Sequence, residues 1–567
     1  MNTHLQFRVL YRQFLFRLMD VELLSGSARG DVSLLLGQFG SLLIFGSLLL
    51  SWAALAVGGE ARRLASASPV WGAERFVVSL TMLVVGVFAL LNWDSTFLDR
   101  RDVLVLAPLP IRGRTLFAAK IAAAASALGL TVVAWNSLAG FAWPLALAPG
   151  GSGFAGTMRF VAAFWVTLLA AGTFLYCVVL GVQAVAAQLP RAWYLRVSSV
   201  LQIAAFILFL GVLCFQPSLD TARALGAPEN QRTLDWLPSY WFLGLLSELS
   251  DVFPAEGHAV MAPLARRAAA SLAIAILLAG GAFLLSYFQT LRKIVESPDI
   301  VPGSHGGTRL PRFGSLPQTA LAQFVIRTLL RSRRHRTILA FYLGGGFAIV
   351  AVYLEGAMDM THLTWMDLLR RVNSYMLVPG IVMLGASWLG VRTLFSLPLD
   401  LRANWLFRVT PVPEDASRLP AVRRALVTLA VFPVVAASAM LLLWSWPWTT
   451  VAEHLLVLVL LGSLLTDISL RGFRKIPFAC SYLPGKSKVH LVFWFGVIPL
   501  LVTIHSAAEV EQRAMASPLS YWVMAGALAA AAFAARLVTN MSANRREPEI
   551  QFEATASDEL VGLGLNG

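Results

Sequence analysis

Few residues in this chain are spaced for chemistry. Gly485-Lys486-Ser487 comes nearest to a phosphate-binding loop, but that loop needs a glycine five residues earlier, where Cys480 stands. Lys486 and Lys488 then read as ordinary loop cations. The eight histidines are scattered and form no His-Glu-x-x-His metal pair. No Gly-x-Ser-x-Gly turn presents a nucleophile, and no helix carries a pair of carboxylates for acid–base work. Cys177, Cys214 and Cys480 make no spaced pair, so neither a disulfide framework nor a zinc site is indicated. Glu509, Glu511 and Arg513 fall in a short segment, 506–518, that reads as an external loop with a solvated face. These residues offer no ground for an enzyme, and no metal or cofactor is predicted on this chain.

What recurs instead is a pair of loops. One reads LDRRDVLVLAPLPIRGRTLFAAK from Leu98, and the other LDLRANWLFRVTPVPEDASRLPAVRR from Leu399. Each opens with Leu-Asp and contains Pro-x-Pro, at Pro108 and Pro110 and again at Pro411 and Pro413. Each then places a cation ten residues after the second proline, Lys120 and Arg423. Proline fixes φ and removes an amide donor, so Pro-x-Pro stops a helix and stiffens the segment after it. Arg112 and Arg114 flank the first copy, and Glu414 and Asp415 the second. A rigid, charged elbow of this kind suits a docking surface that passes a push from a partner into the elements beyond it.

The surrounding composition decides what those elements are. The chain has 567 residues, 57% hydrophobic and 13% charged, with a mean hydropathy of +0.69. A soluble domain carries about 25% charged residues, so a water-soluble protein is excluded. A helix needs roughly 20 apolar residues to cross the hydrocarbon core. The sequence predicts an all-α, multi-pass membrane protein with about twelve spans, near 33–58, 76–96, 117–147, 159–188, 197–216, 268–290, 338–355, 373–394, 425–446, 452–470, 489–505 and 519–539. The first 30 residues, interrupted by Arg8, Arg12 and Arg17, do not read as a signal peptide.

With the N-terminus placed in the cytoplasm, 34 of the 45 Lys+Arg fall on the inside. Both termini are then cytoplasmic, in the cell membrane, under the positive-inside rule. Arg62, Arg63 and Arg75, in a loop at 59–75, run against it. The net charge of +14 is topological on this reading, and no nucleic-acid partner is implied. Trp444, Trp446 and Trp448 read as an interfacial aromatic belt.

Residues 297–318 have the Pro/Gly/Ser composition of a linker, with six predicted spans on either side. The predicted organisation is a first half at 1–296, the linker at 297–318, a second half at 319–540 and a polar cytoplasmic tail at 541–567. The proline loops occupy matching places in the two halves. So do Gln13-Phe14-Leu15-Phe16-Arg17 and Gln323-Phe324-Val325-Ile326-Arg327, each on an amphipathic helix before the first span of its half. Phe7, Leu10, Tyr11, Phe14, Leu15 and Leu18 share one face of the first; Leu321, Phe324, Val325 and Leu329 share one face of the second. Such a helix lies in the membrane surface among lipid phosphates or packs on the end of the bundle.

In this arrangement the chain resembles a type 2 ABC exporter permease. The likeness rests on the helix with Phe14 and Arg17, on Leu106-Ala107-Pro108-Leu109-Pro110 leading to Lys120, and on Leu237-Pro238-Ser239-Tyr240-Trp241 before the sixth span. It covers 1–290 well and 320–540 more loosely. It implies two homologous six-span halves and an external helix at Pro238 and Trp241. It also implies two ABC ATPase subunits as partners at the proline loops, with ATP held on those subunits. The likeness departs from the pattern at the short 506–518 segment, which puts a second external helix in doubt. A hydrophobic or amphipathic substrate fits the apolar spans.

The alternative is an ion-coupled secondary transporter, which needs ionisable groups inside the membrane. Asp94 and Asp467 fall near cytoplasmic span ends and Glu453 near an outer one. Otherwise the spans offer neutral groups such as Asn136, Ser137, Tyr176 and Gln183, which read as links between helices.

Overall fold

The computed structural model describes residues 3–19, 32–64, 68–93, 109, 111–147, 153–189, 191–215, 219, 222–250, 255–296, 314–395, 397, 415–471, 473, 476–479 and 503–544. Among them there is helix, turn and bend and no strand. That is the form an apolar chain takes in lipid, where every backbone polar group must be satisfied within its own segment. Nine of the described helices are long and apolar enough to span a membrane, and Phe39–Leu55 and Val200–Phe215 are shorter apolar helices. This is a multi-pass membrane protein. The predicted eleventh span, 489–505, lies almost wholly outside the described residues. The chain divides into two compact units, Met1–Gly303 and Ser304–Gly567.

The first unit contains α1 (Thr3–Met19), α2 (Val32–Leu64), α3 (Ser68–Leu91), α4 (Gly113–Asn136), α5 (Ala139–Leu147), α6 (Gly153–Ala187), α7 (Arg191–Phe215), α8 (Pro238–Ser250) and α9 (Ala255–Glu296). Its centre is α3, two-thirds buried along its apolar stretch (67%), which packs on α4, α6, α7 and α8. Gln183 on α6 and Gln202 on α7 donate to the Ala89 and Leu90 carbonyls of α3, each at 3.4 Å. At 35 residues, α6 is about 52 Å long and outruns the roughly 30 Å hydrocarbon core. The fourth span is thus long, as its apolar run predicts.

The expected third span, 117–147, is instead two helices. Asn136 and Ser137 turn their side chains back onto the Val132 and Ala134 carbonyls, both at 3.0 Å. The amides of Leu138 and Ala139 then both donate to Ser47 Oγ of α2 at 3.0 Å. Local side-chain bonds thus compete with the helical ladder, and a hydroxyl from another helix caps the new start. Thr81 on α3 holds Asn136 from the other side at 3.2 Å.

The second unit contains α10 (Leu316–Arg331), α11 (Arg333–Thr361), α12 (Ser374–Leu394), α13 (Asp415–Leu426), α14 (Phe432–Leu442), α15 (Trp448–Ser469), α16 (503–515) and α17 (Pro518–Asn544). Residues Val427–Val431 join α13 to α14 as one turn of π-helix. Pro433, next in the helix, cannot donate to the ladder and crowds the carbonyl four residues back. A π-turn is one of the few ways a helix absorbs that demand without breaking. The core gathers Leu377, Val378 and Leu384 of α12, Val431, Leu458 of α15 and Ala508 of α16.

Segment 506–518 is therefore not a loop. It is mostly α16, a helix that precedes the last helix of its unit as α8 precedes α9. Ile504, Ala508 and Met515 face the core, at i, i+4 and i+11. The tryptophan cluster divides: Trp444 and Trp448 are exposed, as a belt requires, whereas Trp446 is buried and donates to the Leu369 carbonyl at 2.8 Å.

Replacing Ser47 by alanine takes this acceptor from the buried Ala139 amide and from the part-buried Leu138 amide. The expected loss is about 1–3 kcal/mol, read as a lower melting temperature of the detergent-solubilised protein. An unchanged melting temperature contradicts the capping role.

Candidate functional site

Of the residues singled out for docking, Pro108, Pro110, Pro411, Pro413 and Glu414 lie outside the described residues. Arg112 and Arg114 are exposed at the start of α4. The Arg112 carbonyl accepts from the Thr115 and Leu116 amides, so Arg112 caps the helix, which begins at Gly113, three residues after Pro110. Asp415 is the first residue of α13, two residues after Pro413. Each proline loop thus runs directly into a helix.

The lead helices lie against those same helices. In the first unit α1 packs along α4, burying Leu10, Phe14 and Leu18, each worth about 1.5–3 kcal/mol when fully buried. Tyr11 donates to Ser126 Oγ at 3.0 Å. Lys120 is only 3% exposed, with Nζ 5.3 Å from the centre of the Phe14 ring, a cation–π contact. Arg8 and Arg12 face outward and Arg17 is half-buried. The face of α1 is the one its periodicity predicts, and its partner is α4.

In the second unit α10 packs along α13. Arg424 Nη1 donates to Gln318 Oε1 at 3.1 Å. The buried stripe of α10 is Ala322, Val325, Ile326 and Leu329. Val325 and Leu329 match the expected face, whereas Leu321 and Phe324 are only half-buried. Phe324 and Arg327 line an open cleft of about 690 Å³ with Arg331 and Thr328. Arg423, the duplicate of Lys120, is also buried. Its Nε donates to Asp467 Oδ1 at 2.6 Å and its Nη2 to Asn540 Oδ1 at 3.3 Å. Thr539 holds the Asp467 carbonyl at 2.9 Å. One arginine thereby ties α13 to α15 and α17.

Pro238 starts α8, which packs on α3, α6 and α9. Trp241 is half-buried, donates to the Leu234 carbonyl at 2.8 Å and meets Phe174 edge-on. Gly244 lets α8 and α9 come together, since a β-carbon there would sit 2.6 Å from Leu264 Cβ and 2.8 Å from the Met261 carbonyl.

The interior is not as poor in charge as the sequence suggested. Arg75, placed by sequence in the 59–75 loop, and its neighbour Glu74 are buried on α3. Arg75 stacks on Tyr240 of α8, its guanidinium carbon 5.0 Å from the ring centre. Glu74 is 0% exposed, and neither carboxylate oxygen has a hydrogen-bond partner among the described residues. In the second unit His454 of α15 and Glu511 of α16 are both buried, with Nδ1 and Oε1 2.8 Å apart. Glu511 is not on a solvated face. The backbone of Gly380 on α12 lies against the other edge of this imidazole, where a β-carbon would come within 2.7 Å of Nε2.

Nearby, Tyr353 Oη and His505 Nδ1 are 2.5 Å apart. The same imidazole stands 3.6 Å from Glu509, and Arg513 donates to Glu509 at 3.0 Å. Outside the spans, Thr364 hydrogen-bonds the Asp367 carboxyl at 2.6 Å and holds it below the usual carboxylate range. No group of three or more His, Cys, Asp or Glu residues able to hold a metal occurs among the described residues.

Glu511 was hidden in the sequence by the shortness of its segment. The usable signal was the helical spacing of Ile504, Ala508, Glu511 and Met515. Glu74 carried no such signal, because a carboxylate within three residues of a predicted span end reads as interfacial. No protein family, curated protein or solved structure matches this chain.

Replacing either His454 or Glu511 by alanine strands a buried polar partner, with an expected loss of roughly 3–5 kcal/mol. The joint change to His454→Leu and Glu511→Leu should cost less than either single change in a denaturation series. Additive losses contradict a coupled pair.

Proposed function

We propose that this chain is the membrane subunit of an ATP-driven exporter of the type 2 ABC class. In this reading it has twelve spans in two six-span halves and both termini in the cytoplasm. Two separate ATPase subunits hold the ATP and dock on the loops that end at Arg112 and Asp415. One observation carries the reading: in each unit the amphipathic lead helix lies along the helix that emerges from the proline loop. A force applied at either loop then reaches a span and a surface helix together. The short helices α8 and α16, each ahead of the last helix of its unit, support equivalent halves. The apolar span surfaces suit a hydrophobic or amphipathic substrate.

The second reading, an ion-coupled transporter, is favoured by the His454–Glu511 pair and by Glu74. These are groups of the kind that proton or cation coupling requires within a membrane. The two readings separate in proteoliposomes. Transport that needs the ATPase and ATP supports the exporter; transport driven by a pH gradient without any ATPase supports ion coupling.

Charge reversal at the first loop gives a direct check. Arg112→Glu with Arg114→Glu is expected to abolish co-purification of the ATPase. Both side chains are exposed, so the melting temperature should stay within about 1 °C, as surface substitutions usually cost under 0.5 kcal/mol. Intact co-purification removes the docking assignment.

A further inference from the structure

Beside the Arg423–Asp467 ion pair lies a cleft of about 290 Å³, lined by Pro420, Arg423, Arg424, Thr428, Ser463 and Arg536 together with Asp467 itself. Three arginines and one aspartate line it, and that carboxylate is already bonded to Arg423. Arg424 donates to the neutral amide oxygen of Gln318, and Arg536 is exposed. Within the cleft, two positive charges are left in excess. Arg423 is fixed by both Asp467 and Asn540, so part of the cleft is pre-organised. The hydroxyls of Thr428 and Ser463 add donors. A planar guanidinium fork matches a phosphate oxygen pair, and basic pockets between membrane helices are suited to phosphate headgroups.

We infer that this cleft binds the headgroup of an anionic glycerophospholipid. A lipid is favoured over a soluble anion by the surroundings of α17. Only 11% of its apolar window is buried. Phe533, Leu537, Val538 and Met541, on either side of Arg536, are all exposed. In a membrane protein those side chains meet acyl chains. A phosphate seated at Arg536 and Arg424 therefore has an apolar surface beside it for the rest of the molecule, which free phosphate would leave bare. The inference rests on the membrane placement of the helices and not on the energy source, so it stands or falls apart from the exporter reading.

Native mass spectrometry of the purified full-length protein, with phosphatidylglycerol and phosphatidylcholine added in equal amounts, reads the site. The wild-type protein should retain phosphatidylglycerol preferentially. Removing two charges, Arg424→Gln with Arg536→Gln, should cut that preference about thirtyfold, while Arg424→Lys with Arg536→Lys keeps most of it. If the neutral pair fails to fold, Arg536→Gln alone, at an exposed side chain, should still cost about fivefold. An unchanged preference in the neutral variants overturns the site. Displacement of phosphatidylglycerol from the wild-type protein by millimolar inorganic phosphate overturns the lipid assignment in favour of a free anion.

Discussion

A charge held inside a helix bundle in a membrane has to be answered from within the bundle. Taking an ion out of water costs several kcal/mol even after relaxation, and no solvent is present to return it. Arg423 shows how the second unit meets this constraint. Its ion pair with Asp467 and its bond to Asn540 fix α13 against α15 and α17. Arg424 and Arg536, which line the cleft beside that ion pair, are exposed. Lys120 meets the same constraint in the first unit by lying over Phe14, which fixes α1 against α4.

These two residues stand at the same distance from their proline loops, yet they are neutralised differently. Lys120 draws on an aromatic ring of the lead helix; Arg423 draws on an acid of a span, while its neighbour Arg424 reaches the lead helix. The shared result is a lead helix fixed to the helix after the loop, which is what the proposed coupling requires. The opposite ends of the units show a parallel theme. Tyr240 of α8 receives Arg75, and Glu511 of α16 receives His454. In each case the short helix ahead of the last helix is pinned to the bundle by a buried ionisable group.

The helical class, the positions of nine long apolar helices and the amphipathic face of α1 were legible in the sequence because they rest on apolar periodicity over many residues. The break between α4 and α5 was not, since it depends on Ser47, which lies about ninety residues away in the chain. Trp446 was misread for a related reason: its indole bond to the Leu369 carbonyl is tertiary and leaves no local mark. The buried charges were the largest gap. Hydropathy places a lone acid such as Glu511 in a loop, and only its partner His454, 57 positions away, makes its burial tolerable. The placed spans suggested an interior with few ionisable groups; the structure has several, of which Arg423, Asp467, His454 and Glu511 are bonded across helices, whereas Glu74 is buried with no hydrogen-bond partner among the described residues.

The proposed coupling to an ATPase turns on what meets the helices that leave the proline loops. A photo-crosslinking residue placed at Arg114 in the intact membrane, with the captured chain identified by peptide mass spectrometry, asks this directly. Capture of a chain with a nucleotide-binding cassette is expected, and its loss when the ATPase is deleted. Labelling confined to water and lipid, in a membrane that contains the ATPase, contradicts docking at this loop.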